Sequence, residues 1–166
     1  MTRSNSPMEA YLDIETTGLS ALYANITVIG LYLVRENESR VVQLVGSDVT
    51  EDNLLDNMQG VTSLYTYNGS RFDLPFINET LGTNLEGMFN HRDLMYDCWR
   101  CNLKGGFKAV ERQLGIPRKL TDVNGYDAIR LWWRYVNDYD QEALATLLEY
   151  NKEDVVNLKT LKEKLL

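Results

Sequence analysis

Apolar and polar positions alternate with period two in Ala10-Tyr11-Leu12-Asp13-Ile14-Glu15, which predicts a strand. Thr16-Thr17-Gly18 breaks it as a turn. Ile26 to Val34 is a long β-branched and apolar run and predicts a second strand. Arg40 to Val45 predicts a third, after the polar turn Glu36-Asn37-Glu38-Ser39. Short connections between the three suggest an antiparallel meander. Beyond residue 49 the period changes. Thr50 can cap a helix running to Met58, and Ser63 to Tyr67 predicts a short strand. Asp73 to Leu81 predicts a helix, with Pro75 tolerated in its first turn and Gly82 ending it. His91 to Met95 predicts a fifth strand, and helices follow at residues 107–114, 127–136 and 141–165. In the last of these, Leu144, Leu147, Leu148, Val155, Leu158, Leu161 and Leu165 lay one face on the core. The whole reads as a mixed α/β sheet flanked by helices. A loose polar lead-in over residues 1–7 precedes one domain over residues 8–166.

The 166 residues suit a single core, and 44% hydrophobic with 25% charged residues is ordinary for a globular domain. No stretch approaches the ~18 apolar residues of a membrane span, and the start carries no secretory pattern. With Cys98 and Cys101 too few for a disulfide framework, a reducing cytoplasm is the expected compartment. The balance of 17 basic against 24 acidic residues, a net −7, disfavours a protein that coats nucleic acid by bulk charge. It leaves room for an enzyme that holds divalent cations and grips only a strand end.

The acids carry the candidate chemistry. Asp13 and Glu15 are two apart on a strand, so they share a face, and they repel unless a cation sits between them. Asp73 opens a helix just after a strand. Tyr150 and Asp154 are four apart in the last helix and share a face. Taken singly, each has an ordinary explanation: an exposed strand end, a helix N-cap, a solvated helix flank. Taken together, four acids on regular elements can build a rigid site of hard oxygen ligands suited to Mg²⁺ or Mn²⁺. Two such ions can activate a water and stabilise the leaving oxygen of a phosphoryl displacement. The lone His91 and the absence of a serine–histidine pattern disfavour a Ser/His/Asp triad.

Other features are weaker. Lys104, Lys108, Arg112, Arg118 and Lys119 cluster in sequence, and Gly105-Gly106 precedes a helix start that can receive phosphate. This segment is a candidate path for a nucleic-acid backbone or an ordinary solvated flank. Asp93 suits a structural acid that satisfies nearby backbone donors. The Cys98–Cys101 pair lacks the further ligands zinc needs and reads as two reduced, semi-buried thiols. Of Trp132 and Trp133, at most one can face the core squarely.

The motifs resemble a known family. Asp13-Ile14-Glu15-Thr16-Thr17-Gly18-Leu19 resembles the first exonuclease motif of the DEDD superfamily, and Asn68-Gly69-Ser70-Arg71-Phe72-Asp73 the second. Tyr150-Asn151-Lys152-Glu153-Asp154 resembles the third, in the Tyr-x-x-x-Asp form of the DEDDy branch. The stretches from Leu103 to Glu111 and from Leu148 to Leu158 are similar to the YprB-type group of ribonuclease H-like exonucleases. The similarity runs from about Met8 to Leu166.

The resemblance implies a ribonuclease H-like, five-stranded mixed sheet: three antiparallel strands, then two parallel ones, with helices on both sides. It implies a metal-dependent 3′–5′ exonuclease acting on single-stranded or frayed DNA or RNA ends. Asp13, Glu15 and Asp154 would hold one divalent cation. Asp13 would bridge to a second, which Asp73 reaches directly or through water, and Tyr150 would orient the attacking water. Thr16 and Leu19 would touch the terminal nucleotide and Asn68 the substrate near the cut. Lys104 and Lys108 are the backbone contacts expected from the basic segment. An endonuclease on the same fold and a catalytically silent nucleic-acid-binding module are the competing expectations. No stretch of this sequence reads as a helicase, polymerase or additional RNA-binding domain, so the pathway and protein partners stay open.

Overall fold

The computed structural model describes residues 6–166; residues 1–5, most of the expected lead-in, lie outside the described residues. Five strands form one sheet: β1 (Met8–Thr16), β2 (Ile26–Arg35), β3 (Glu38–Val45), β4 (Val61–Thr66) and β5 (Asn90–Asp93). Their order across the sheet is β3-β2-β1-β4-β5. The first three pair antiparallel, whereas β4 joins β1 in parallel and β5 joins β4 in parallel. This is the ribonuclease H-like mixed sheet that the resemblance implies.

Period-two alternation sorts the sheet into two faces. Leu12, Ile14, Ile29, Leu31 and Leu64 point to one side. There they meet Leu54 of helix α1 (Glu51–Asn57) and Phe76 and Ile77 of helix α2 (Asp73–Leu81). Tyr11 and Val34 point to the other side, among Leu158 and Leu161 of the long helix that ends the chain.

A short helix, α3 (Leu85–Met88), follows α2, and α4 (Leu94–Arg100), α5 (Phe107–Leu114), α6 (Gly125–Asp138) and α7 (Gln141–Leu165) complete the chain. Helix α7 lies across β1 and β2 and buries Leu147, Tyr150, Asn151, Asp154, Val155, Leu158 and Leu161. That stripe has helical spacing; of the expected apolar face, Leu147, Val155, Leu158 and Leu161 are buried, whereas Leu144, Leu148 and Leu165 are half-buried. Polar residues occupy its middle, where it crosses the end of β1.

Several expected bounds differ: β1, β3 and β4 each begin two residues earlier than expected, at Met8, Glu38 and Val61, so Glu38 and Ser39 belong to a strand and not to the turn. The fifth strand stops at Asp93 rather than Met95, because the Asp93 carboxylate accepts from Met95 N at 3.0 Å and starts α4 there. Neither α3 nor α4 is evident from periodicity, since each has fewer than eight residues. Helix α6 begins at Gly125, two residues before its expected start, with Asn124 and Asp127 forming a reciprocal capping box.

Candidate active site

The parallel pairing of β1 with β4 reaches only Tyr11, so the last residues of β1 run on beside β2 alone. Asp13 and Glu15 lie in this free end, on the face covered by α7. Asp154 comes down from α7 to meet them. One carboxylate oxygen from each of the three lies within 4.8 Å of the others, a grouping able to hold a metal ion. Glu15 and Asp154 are buried and Asp13 is half-buried. The register of β1 against β2 shifts between Glu15 and Thr16, a bulge just past the second acid.

Asp73 stands outside this group of three. It is the first residue of α2 rather than its N-cap, which is Phe72. Its Oδ2 accepts from Ile14 N at 3.0 Å, the donor between the two β1 acids that β4 leaves unpaired. The carboxylate therefore fastens α2 to the end of β1 and lies next to the acids.

The electrostatics agree with that crowding. Burial, then the charges of Asp154, Glu15 and Asp73, hold Asp13 well above the ordinary carboxylate range. Glu15 is pushed up to about 8, by burial first and Asp154 second. Burial pushes Asp73 up to about 7 although the Ile14 N–H pulls the other way. Burial and the same acids also raise the Tyr150 phenol.

A cavity of about 450 Å³ opens over the three grouped acids and Tyr150, and Asp73 lies outside its lining. Asp13, Glu15, Tyr150 and Asp154 line it together with Thr16 and Leu19 from the expected substrate contacts. Ile14, Phe72, Ile129 and residues Asn124–Tyr126 at the start of α6 complete the wall. Leu19 is 81% exposed and Tyr126 72% exposed, two apolar surfaces turned to solvent at the rim.

Sequence comparison agrees with the fold. The family model described as RNase_H superfamily matches residues 10–166. The chain belongs to the RNase H superfamily. A curated superfamily relative is the uncharacterized protein YprB of Bacillus subtilis (strain 168), 30% identical over 164 residues, 89% of this chain. The chain spans 39% of that relative's length. Among solved structures, the family B DNA polymerase of the archaeon Pyrobaculum calidifontis aligns with a TM-score of 0.73 at 17% identity. The alignment covers 96% of this chain and 24% of the polymerase. Brucella melitensis NrnC with bound Mg²⁺ aligns with a TM-score of 0.62 at 19% identity, over 95% of this chain and 71% of NrnC. At these identities the likeness is one of RNase H-like fold.

In this RNase H-superfamily chain the remaining sequence candidates divide. Lys108 reaches the site: its Nζ donates to the Tyr150 hydroxyl and lies 4.4 Å from the centre of that ring. Lys104, Arg112 and Lys119 are exposed. Arg118 is not an exposed member of that segment, for its side chain is 5% exposed and pairs with Glu111 and Asp154. Glu153 is not simply solvated either; its carboxylate accepts from Lys119 N and Leu120 N at 2.8 and 3.1 Å. Asn68 adopts a left-handed φ of 61° after β4, and its Oδ1 is buried without a hydrogen-bond partner. Asp93 accepts from Asn68 N and Ser70 N, which is the structural service expected of it.

His91 bonds Thr66 Oγ1 at 2.8 Å and takes no part in the acid group. Cys98 is buried and Cys101 exposed, so only one of the two thiols is enclosed. Trp132 packs against the core while Trp133 is exposed.

Sequence reasoning missed Asn151. Its Nδ2 lies 3.2 Å from the Asp13 backbone oxygen and 3.3 Å from Asp13 Oδ2, and its Oδ1 accepts from Gln43 Nε2 at 3.0 Å. The available signal was its position beside Tyr150 on the buried stripe of α7, where an asparagine needs partners. It also missed Glu111 and Asn157, whose partners lie across turns that periodicity does not see.

No helix among the described residues is long and apolar enough to cross a membrane.

Proposed function

We propose that this domain is a metal-dependent 3′–5′ exonuclease that removes nucleotides from single-stranded or frayed DNA or RNA ends and releases 5′-monophosphates. The observation that carries the reading is the meeting of Asp13, Glu15 and Asp154 within 4.8 Å at the floor of an open cavity. Packing alone does not account for three mutually repelling carboxylates in one partly buried place. Their hard oxygen donors fit Mg²⁺ or Mn²⁺. NrnC, a structure of the same fold, is described with bound Mg²⁺.

Asp13, Glu15 and Asp154 would hold one divalent cation. Asp13 and Asp73 would serve a second, with Asp73 held beside the β1 acids by its bond from Ile14 N. When bound, the two ions supply the Lewis acidity that activates a water and stabilises the leaving oxygen. Tyr150, held at its hydroxyl by Lys108, orients that water as a hydrogen-bond partner. Thr16 and Leu19, on the cavity wall, contact the terminal nucleotide, and Asn68, in the loop that leads into Asp73, is the further substrate contact of this reading. Exposed Lys104 meets the phosphate backbone, and Lys108 meets it from beside Tyr150. The protein as expressed in a reducing cytoplasm is the expected working form.

The test is a panel of end-labelled single-stranded and duplex DNA and RNA, incubated with Mg²⁺ or Mn²⁺ and resolved by size. A ladder shortening from the 3′ end, stopped by a 3′ block, is expected. Cutting that ignores the block points to an endonuclease. Absence of both cleavage and Mn²⁺ binding leaves a silent binding module.

A further inference from the structure

We infer that Arg118 is a positioning residue that sets the Asp154 carboxylate for cation binding, and that Glu111 and Asn157 hold it in place. The inference rests on the metal-binding reading of Asp13, Glu15 and Asp154 and adds three residues to it.

The arrangement is a chain of charged groups. Arg118 Nε and Nη2 donate to the two Glu111 carboxylate oxygens at 2.9 and 3.0 Å, a fork-to-fork pair. The same Nη2 donates to Asp154 Oδ1 at 2.5 Å. Asn157, one helical turn from Asp154, donates from Nδ2 to Glu111 Oε2 at 2.6 Å and to the Pro117 carbonyl at 3.1 Å. The side chains of Arg118 and Glu111 are 5% and 3% exposed, so the contact is shielded from water and salt.

The backbone is built to deliver Arg118 there. Helix α5 ends at Gly115, whose φ of 69° suits glycine, and Ile116 N returns to the Glu111 carbonyl at 2.9 Å. That turn folds Arg118 back over Glu111 within seven residues. Glu153 then clips Lys119 N and Leu120 N to α7. Residues 153, 154 and 157 of one helix thus grip the loop that carries the guanidinium.

A buried ion pair is a weak source of stability, because desolvation offsets much of the attraction. The geometry points instead to orientation. With Oδ1 tied to a fixed guanidinium, the Asp154 carboxylate cannot rotate freely, and its other oxygen is left for a cation shared with Asp13 and Glu15. Groups that orient metal ligands typically change metal affinity by roughly 10–100-fold when removed.

The experiment is calorimetric titration of Mn²⁺ into the wild-type domain and the variants Arg118→Gln, Arg118→Lys and Glu111→Gln. Circular dichroism and metal-free melting verify the fold of each. Wild type should bind Mn²⁺, and Arg118→Gln should bind it roughly 10–100-fold more weakly. Arg118→Lys keeps the charge but not the fork, so it should also bind weakly, and Glu111→Gln should lie between the two. Glu111→Gln carries the test if Arg118→Gln does not fold. Folded variants that bind Mn²⁺ like a binding-competent wild type overturn the positioning role alone. Tighter binding in Arg118→Gln overturns it too, by making the guanidinium a competitor of the cation. A wild type that takes no Mn²⁺ removes the metal-binding reading and this inference with it.

Discussion

Asn151 occupies the space that a side chain at Gly30 would need. A Cβ built on Gly30 would lie 2.1 Å from Asn151 Oδ1, and Gly30 is the β2 residue paired with Asp13. The glycine lets the amide of α7 settle onto the sheet at the place where the first acid projects. From there Asn151 Nδ2 reaches both the backbone oxygen and the carboxylate of Asp13.

Gly30→Ala should therefore damage the site as well as the packing. The displaced amide is completely buried and also bonds Gln43, so it has no free direction in which to move. We expect a stability loss of about 1–3 kcal/mol, the usual range for overpacking. Cleavage should fall by more than the folded fraction does. Combining Gly30→Ala with Asn151→Ala frees the space, so the double variant should lose less stability than the sum of the singles. Melting curves of the four proteins check this, and strict additivity would sink it.

Asp154→Asn should abolish cleavage and leave the fold intact. Its amide oxygen can still accept from Arg118 Nη2, which limits the structural damage. The loss in rate should be on the order of 1,000-fold, several kcal/mol of barrier. Unfolding of this variant would make Asp154 a structural residue. Tyr150→Phe keeps the ring that Lys108 and Arg118 approach and removes only the hydroxyl. It should slow cleavage about 100-fold and leave Mn²⁺ affinity unchanged. Full activity in that variant takes Tyr150 out of the mechanism.

The acids also predict a pH dependence for the metal-free protein. Glu15 is pushed up to about 8 and Asp73 to about 7, while the unfolded chain titrates both near their ordinary values. Between those limits the folded state binds more protons than the unfolded state. Stability is therefore fully present below the unfolded values and is lost as pH rises through the folded ones. The melting temperature in chelator should fall from about pH 5 to about pH 8. Mg²⁺ or Mn²⁺ should restore it at the upper end and change little at the lower end, where protons occupy the ligands. A melting temperature that is flat or rises across this interval would contradict the coupling.

Asp93 supports the loop that leads into Asp73. It accepts from Asn68 N at 2.8 Å, Ser70 N at 3.1 Å and Met95 N at 3.0 Å. Asp93→Ala strands these donors and removes the cap of α4, at a cost of about 2–4 kcal/mol. Asp93→Asn retains one acceptor oxygen and should recover part of that. Hydrogen exchange should show faster amide exchange at Asn68 and Ser70 in the alanine variant; unchanged protection there would refute the role.

Much of this protein is legible along the chain. Ala10 to Glu15 alternates with period two, which already places Asp13 and Glu15 on one face and Leu12 and Ile14 on the other. Tyr150 and Asp154, four apart in the last helix, share one face by spacing alone, and the fold is what shows that α7 buries that face. Such periodicities are local, because each follows from the geometry of a single element. What the tertiary structure decided is how those elements end and meet. Asp73 looks like an ordinary cap until Ile14 N, 59 positions away, proves to be its partner. Arg118 looks like a solvated cation until the turn at Gly115 folds it onto Glu111 and Asp154. Neither pairing leaves a periodic trace, since each depends on where a loop brings one charge against another across the fold.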